Sequence, residues 1–173
     1  MKTSMAATAI LAIVASSALA SGPMIQQGVR ELNLAGSMDN DGADLGATVA
    51  GKVGYFVADG TEAGITGLLG FRGSNNQTVA AGVFGQYNVY LNGPVVPYGG
   101  ASFTLNWMKW SFAGERDSDG FLGASVEGGV KFFFVDYAAI TLGLQLEYAT
   151  KEIYNGFQDN TDWVFTLGTS WYF

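Results

Sequence analysis

The chain has 173 residues, of which 49% are hydrophobic and 14% aromatic but only 13% charged, against roughly 25% charged in ordinary soluble domains. With 25 glycines besides, it is neither a disordered chain nor a typical soluble one. It has no cysteine and no histidine, which excludes disulfides, thiol nucleophiles, imidazole bases and Cys/His metal sites, and its net charge of −7 repels phosphate backbones, so nucleic acid is not expected as a partner.

Taken from the N-terminus, Lys2 precedes an apolar stretch from Met5 to Val14, followed by Ser16, Ser17 and the small-residue site Ala18-Leu19-Ala20 before Ser21. This is the pattern of a secretory signal over residues 1–20. The alternative, a membrane anchor, needs about 20 consecutive apolar residues. Cleavage removes Lys2 and leaves 21–173 as one domain. The stretch Gly73 to Met108 carries no charge, yet its asparagines, glycines, Pro94 and Pro97 make it unfit as a buried helix.

What organises 21–173 is alternation with period two, the signature of strands with two different faces. Strands are predicted near 27–37, 45–57, 61–72, 77–91 and 95–109, with apolar faces on Leu32 and Leu34; Val49, Val53 and Tyr55; Ala63, Ile65, Leu69 and Phe71; Val79, Val83 and Tyr87; and Phe103, Leu105 and Trp107. The next carries Leu122, Val126, Val130, Phe132 and Phe134 opposite Glu127 and Lys131. The last two are the clearest: Ile140, Leu142, Leu144, Leu146 and Tyr148 against Thr141, Gly143, Gln145 and Glu147, then Trp163, Phe165, Leu167, Trp171 and Phe173 against Thr166, Gly168 and Ser170. Eight such strands predict an all-β, eight-stranded antiparallel up-and-down barrel. Short turns at Ala58–Gly60, Asn92–Pro94 and Val135–Asp136 alternate with longer loops at Met38–Asp44, Gly73–Asn76, Trp110–Gly120 and Thr150–Asn160. Short turns on one rim and long loops on the other are the layout of a bacterial transmembrane barrel, whose short turns face the periplasm.

A soluble lipocalin-like container would have the same strands with the apolar face inward. Charge on the polar face separates the two. It carries Glu31, Lys52, Glu62, Arg72, Glu127, Lys131 and Glu147, too few for a water-facing surface, which is about 25–35% charged, but suited to a nearly neutral interior. Aromatics at the ends of the apolar face agree: Phe71, Trp107, Tyr148 and Trp163 fall near the long-loop rim, and Tyr55, Tyr87, Phe132, Phe134, Trp171 and Phe173 near the short-turn rim, the two girdles expected where a bilayer meets water.

Several segments carry a likeness to a known family: Arg30-Glu31-Leu32-Asn33-Leu34-Ala35-Gly36-Ser37, Gly54-Tyr55-Phe56-Val57, Gly82-Val83-Phe84-Gly85-Gln86-Tyr87, Pro97-Tyr98-Gly99-Gly100 and the terminal Thr169-Ser170-Trp171-Tyr172-Phe173. The chain from about Gln27 to Phe173 resembles the small Gram-negative outer-membrane barrels, the OmpX/OmpA-like eight-stranded family. The resemblance implies that Trp171 and Phe173 form the signal read by the barrel-assembly machinery. The family is functionally mixed, so the likeness speaks to fold and location more than to role.

Eight-stranded barrels have interiors that side chains just fill, and Phe56, Phe84, Tyr90, Tyr98, Phe121, Phe133 and Tyr137 are predicted to point inward, which argues against an open pore. The lumen charges are then expected as a paired structural network; a conducting ion-pair gate around Glu31, Lys52, Glu127, Lys131 and Glu147 is the competing reading. On the long-loop side lie Asp39, Asp41, Asp44, Glu115, Asp117, Asp119, Glu152, Asp159 and Asp162. Asp39-Asn40-Asp41-Gly42-Ala43-Asp44 and Asp117-Ser118-Asp119-Gly120 do not complete a calcium loop, so no metal or other cofactor is expected. Bridging by divalent ions to lipopolysaccharide, or adhesive contacts through Trp110, Tyr154 and Phe157, are further roles for this rim. Glu127 and Glu147 are the remaining candidates for acid–base work, but without histidine enzymatic activity is not expected. The expected protein is thus a non-enzymatic barrel embedded in outer-membrane lipid, with a structural or surface-interaction role; a narrow channel and a soluble periplasmic ligand-binding barrel are the alternatives.

Overall fold

The computed structural model describes residues 22–40, 45–72, 76–112, 115–152 and 159–173. Eight strands follow in chain order, β1 (Arg30–Asn40), β2 (Leu45–Ala58), β3 (Thr61–Arg72), β4 (Asn76–Asn88), β5 (Val95–Phe112), β6 (Glu115–Val135), β7 (Ala138–Ala149) and β8 (Thr161–Tyr172). Each pairs antiparallel with the next, and β1 pairs with β8 to close the barrel. Closure removes every sheet edge around the waist and satisfies the backbone there. The seam joins Glu31 through Gly36 to Tyr172 through Leu167, and Arg30 and Phe173 exchange both backbone hydrogen bonds beyond it.

The alternation settles which side faces out. Leu34, Val49, Val83, Phe103, Leu105, Leu144, Phe165 and Leu167 all project outward, Phe165 with 65% of its surface exposed. Phe56, Val96, Phe133 and Tyr172 are buried inside. A band of exposed apolar side chains around a cylinder with a polar and aromatic interior is the reverse of a soluble container, and that alternative is overturned. Small inward residues make room for large ones. A side-chain carbon at Gly143 would lie 2.6 Å from the Tyr98 hydroxyl, and one at Gly64 would lie 2.8 Å from the Phe84 ring.

The strand ends differ from the sequence expectation in three places. The segment Trp110–Gly120, expected as a loop, is mostly an extension of the β5–β6 hairpin, with Lys109 paired to Ser118 and Phe112 to Glu115. Dense charge reads as a loop, but an antiparallel pair with water on both sides tolerates it. β4 ends at Asn88, so Tyr90, expected to point inward, lies beyond the strand and is exposed, as is Tyr137 in the turn after β6. Parity fails at both because the ladder has ended or slipped. The slip after Phe133 is a bulge, as is one after Phe56, and bulges bend strands into the turns at a barrel rim. Finally, β1 begins at Arg30 rather than 27. The residues before it form a strap across the short-turn mouth.

Candidate functional site: the lumen cluster

Inward-facing positions stack in layers along the barrel axis. Nearest the short-turn rim is an apolar layer of Phe56, Val96, Phe133, Ala139 and Tyr172. Tyr172 lies 4.9 Å from Phe133 and 6.3 Å from Phe56 between ring centroids. Above it sits the charged centre. Lys131 Nζ donates to Glu31 Oε2 at 2.6 Å and lies 3.8 Å from Glu62 Oε2. The three residues are 1%, 3% and 2% exposed. Charges so deeply buried persist only when paired and hydrogen-bonded, and the neighbours supply both. The Ser170 hydroxyl donates to Glu31 Oε1 at 2.7 Å, and Gln86 Nε2 donates to Glu62 Oε2 at 3.2 Å. Asn33 Nδ2 donates to Ser170 Oγ at 2.8 Å, and Thr141 Oγ1 lies 3.0 Å from the same oxygen. The Lys131 ammonium also sits 5.5 Å from the ring centroids of both Tyr98 and Tyr172, within cation–π range.

One layer further out, Lys52 pairs with Glu127 and lies 5.3 Å from the Phe84 ring centroid. Beyond that, Gln145 donates to Glu147 at 3.0 Å and Ser102 meets Ser125 at 2.8 Å. The space left among Glu31, Lys52, Glu62, Tyr98, Glu127 and Lys131 is about 40 Å³, room for a few waters at the ~10–15 Å³ each requires.

Of the seven charged residues singled out from the sequence, Glu31, Glu62 and Lys131 thus come together in one cluster and Lys52 and Glu127 in a second. Glu147 stands apart toward the long-loop rim, and the Arg72 side chain lies outside the described residues. Asn33, Gln86, Thr141 and Ser170, which complete the cluster, and Asn88, whose Oδ1 accepts from Gln86 Nε2 at 3.1 Å, were not singled out. Their signal was present: each occupies the inward parity of its strand, and a neutral polar residue facing a lumen has to bond to something.

Of the girdle positions, Tyr55, Phe71, Tyr87, Trp107, Tyr148, Trp163, Trp171 and Phe173 project outward and are exposed, while Phe132 and Phe134 are half-buried. Phe134 is the extra residue of the β6 bulge, which accounts for its turning from the wall. On the long-loop rim Lys151 pairs with Asp119, and the bond it donates holds the Asp119 carboxyl below its ordinary value. Among the described residues no three acidic side chains gather as a metal site. The leader 1–20, the segment 41–44, the side chains of 39, 110, 115 and 117, and Tyr154 and Phe157 lie outside the described residues.

A closed antiparallel barrel of eight strands has counterparts among known proteins. Residues 4–173 match the family described as outer membrane protein beta-barrel domain. The chain belongs to that family. Among solved structures it is similar to the N-terminal barrel domain of Pseudomonas aeruginosa OprF, with a TM-score of 0.64 and 16% identity over 85% of this chain and 98% of that one. It is also similar to Neisserial surface protein A, with a TM-score of 0.59 and 17% identity over 83% and 94%, and to Ail, the attachment invasion locus protein of Yersinia pestis, with a TM-score of 0.52 and 16% identity over 86% and 100%. No curated protein matches the chain. At these identities the likeness is one of fold, which this outer-membrane barrel shares with all three.

Proposed function

We propose that this barrel is a non-enzymatic integral protein of the bacterial outer membrane, exported by the leader at 1–20 and inserted by the barrel-assembly machinery through Trp171 and Phe173. Its lumen is closed, and it acts as a structural or surface-interaction protein through the acidic long-loop rim, in contact with outer-membrane lipid and lipopolysaccharide. The observation that carries this reading is the Glu31–Lys131–Glu62 cluster, sealed on one side by the Phe56, Phe133 and Tyr172 layer and leaving about 40 Å³ of space. An ion crossing it would have to strip its water and displace a paired charge. The exposed apolar band supports the lipid setting, and the lack of a histidine base weighs against catalysis.

The competing reading, a narrow channel, draws on the Lys52–Glu127 pair, which is less deeply buried than the Lys131 cluster and so is the easier pair to part. Planar-bilayer recording of the purified barrel separates the two. The closed-lumen reading predicts a silent bilayer. Reproducible openings that Glu127→Gln or Lys131→Met abolishes would replace it with the channel.

A further inference from the structure

The strap before β1 crosses the short-turn mouth from one side of the barrel to the other. At its start, the Gly22 amide donates to Asp136 Oδ1 at 3.1 Å and the Met24 amide to the Asp136 carbonyl at 3.1 Å, in the β6–β7 turn. At its far end, the Gln27 amide donates to Asp59 Oδ1 at 2.8 Å, Gln27 Nε2 to the Val57 carbonyl at 3.0 Å, and the Gly60 amide to the Ile25 carbonyl at 2.8 Å, around the β2–β3 turn. In a closed ring of eight strands these two turns are diametrically opposite. The Gly28 amide then bonds to the Phe56 carbonyl, and the Phe56 amide to the Val29 carbonyl, both at 2.9 Å, before β1 begins.

Between its anchors the strap turns an apolar side chain into the barrel. Ile25 is 4% exposed and packs with Phe56, Val96, Phe133, Ala139 and Tyr172. Pro23 beside it is fully buried. A tail resting on the rim would leave its apolar residues to solvent and its amides to water. Here the backbone is bonded on both sides of the mouth, and a branched hydrocarbon side chain covers the apolar layer.

We infer that residues 22–29 are a built-in plug that seals the periplasmic mouth, so that the lumen is a cup accessible from the cell surface alone. The orientation rests on the reading above; the seal does not depend on the charged cluster, which lies in a different layer.

The absence of native cysteine allows a single reporter. Ala139→Cys places a thiol under Ile25 at a position 1% exposed. In detergent micelles, a small charged methanethiosulfonate should label this variant slowly, and about tenfold or more faster when Ile25→Ser, or Asp59→Ala with Asp136→Ala, is added, as expected when a local closed state is opened. Heat-modifiable gel mobility checks that each variant is a folded barrel. Rapid labelling of the parent reporter, or no acceleration in folded strap variants, would overturn the plug. Should the strap variants fail to fold, hydrogen exchange on the unaltered protein decides. The Gly60 and Gly28 amides should be protected like those of the neighbouring strands, and exchange at free-peptide rates would overturn the inference. A barrel that is silent as the parent but conducts once Ile25→Ser is added supports the plug and counts against closure by the charged cluster alone; a silent barrel with a freely labelled reporter overturns the plug alone, and steady conduction by the parent overturns both.

Discussion

Lys131 Nζ lies 2.6 Å from Glu31 Oε2, across strands β6 and β1, with both side chains shut away from solvent. Glu62 leans on the same ammonium from β3, so one cation faces two carboxyl groups. Replacing Lys131 by Met therefore leaves a buried carboxylate without its partner, at a cost of about 3–5 kcal/mol. Lys131→Met combined with Glu31→Gln should recover part of that loss. Urea midpoints of the barrel in lipid vesicles measure both. A Lys131→Met barrel as stable as the parent would show that the cluster does not hold the wall together.

The outward face can be tested by depth. Leu144, 49% exposed at mid-height on β7, is predicted to lie near the bilayer centre, where an arginine costs about 2–4 kcal/mol, against about 0–1 at the interfaces. Leu144→Arg should therefore destabilise the vesicle-embedded barrel far more than Gln77→Arg, whose site pairs with Lys109 at the outer end of β4. Equal penalties at the two sites would contradict a hydrocarbon band.

Glycines at close approaches should divide sharply from those in open positions. A side-chain carbon at Gly82 would lie 2.0 Å from the Phe103 carbonyl and 2.8 Å from Thr104 Cα, both backbone atoms of the adjoining strand, whereas at Gly67 the nearest atom is 3.7 Å away. Gly82→Ala is expected to lower stability by about 1–3 kcal/mol through overpacking and Gly67→Ala by much less. Denaturant titration of the pair checks the contrast.

Asp119 gives a pH dependence outside the membrane. Its carboxyl is held below the ordinary value of 3.8 mainly by the hydrogen bond from Lys151. A depressed folded-state pKa means that the contribution of the pair is fully present above the ordinary carboxylate value and is lost as pH falls through the lowered one. The site is open to water, so the effect is local. Carboxyl-carbon NMR of the barrel in micelles should show Asp119 titrating below a free aspartate, and Lys151→Met should bring it back. An unchanged midpoint in Lys151→Met would remove the pair as the cause.

Phe173 is 63% exposed, and its backbone is already bonded to Arg30. If its ring is chiefly a signal for assembly, Phe173→Ser should refold in vitro with nearly unchanged stability yet accumulate less as heat-modifiable barrel in cells. A loss of the same size in both settings would make Phe173 a structural residue instead.

Much of this architecture was legible because one physical rule acts at every position of a barrel wall. Val126 must meet one medium and Glu127 the other, and no later packing decision reverses that. The rule lapses where the ladder ends. Tyr90 and Tyr137 follow the parity of β4 and β6 on paper, but each sits past a last pair or a bulge, so its direction is set by turn geometry instead. The β5–β6 extension was hidden for a different reason. Its second arm, Glu115-Arg116-Asp117-Ser118-Asp119-Gly120, carries no apolar residue to alternate, and charges such as Asp119 look like a loop. Ile25 was missed because a strap has no period; only its two distant clamps, Asp59 and Asp136, give it a place. Within the lumen, parity identified which charges face inward but not which ones meet. That depends on the stagger between strands, which brings Lys131 to Glu31 rather than to its own neighbour Glu127.

The seam has a consequence for biogenesis. Glu31 takes its hydrogen bond from Ser170, 139 positions further along the chain, and the first strand meets its second neighbour only in the last one. Contacts between such distant partners form slowly because the intervening chain must first be drawn into a loop. A polypeptide emerging N-terminus first therefore cannot zip its cylinder shut until its final residues arrive. Until then two raw strand margins and a greasy flank have no partner within the chain.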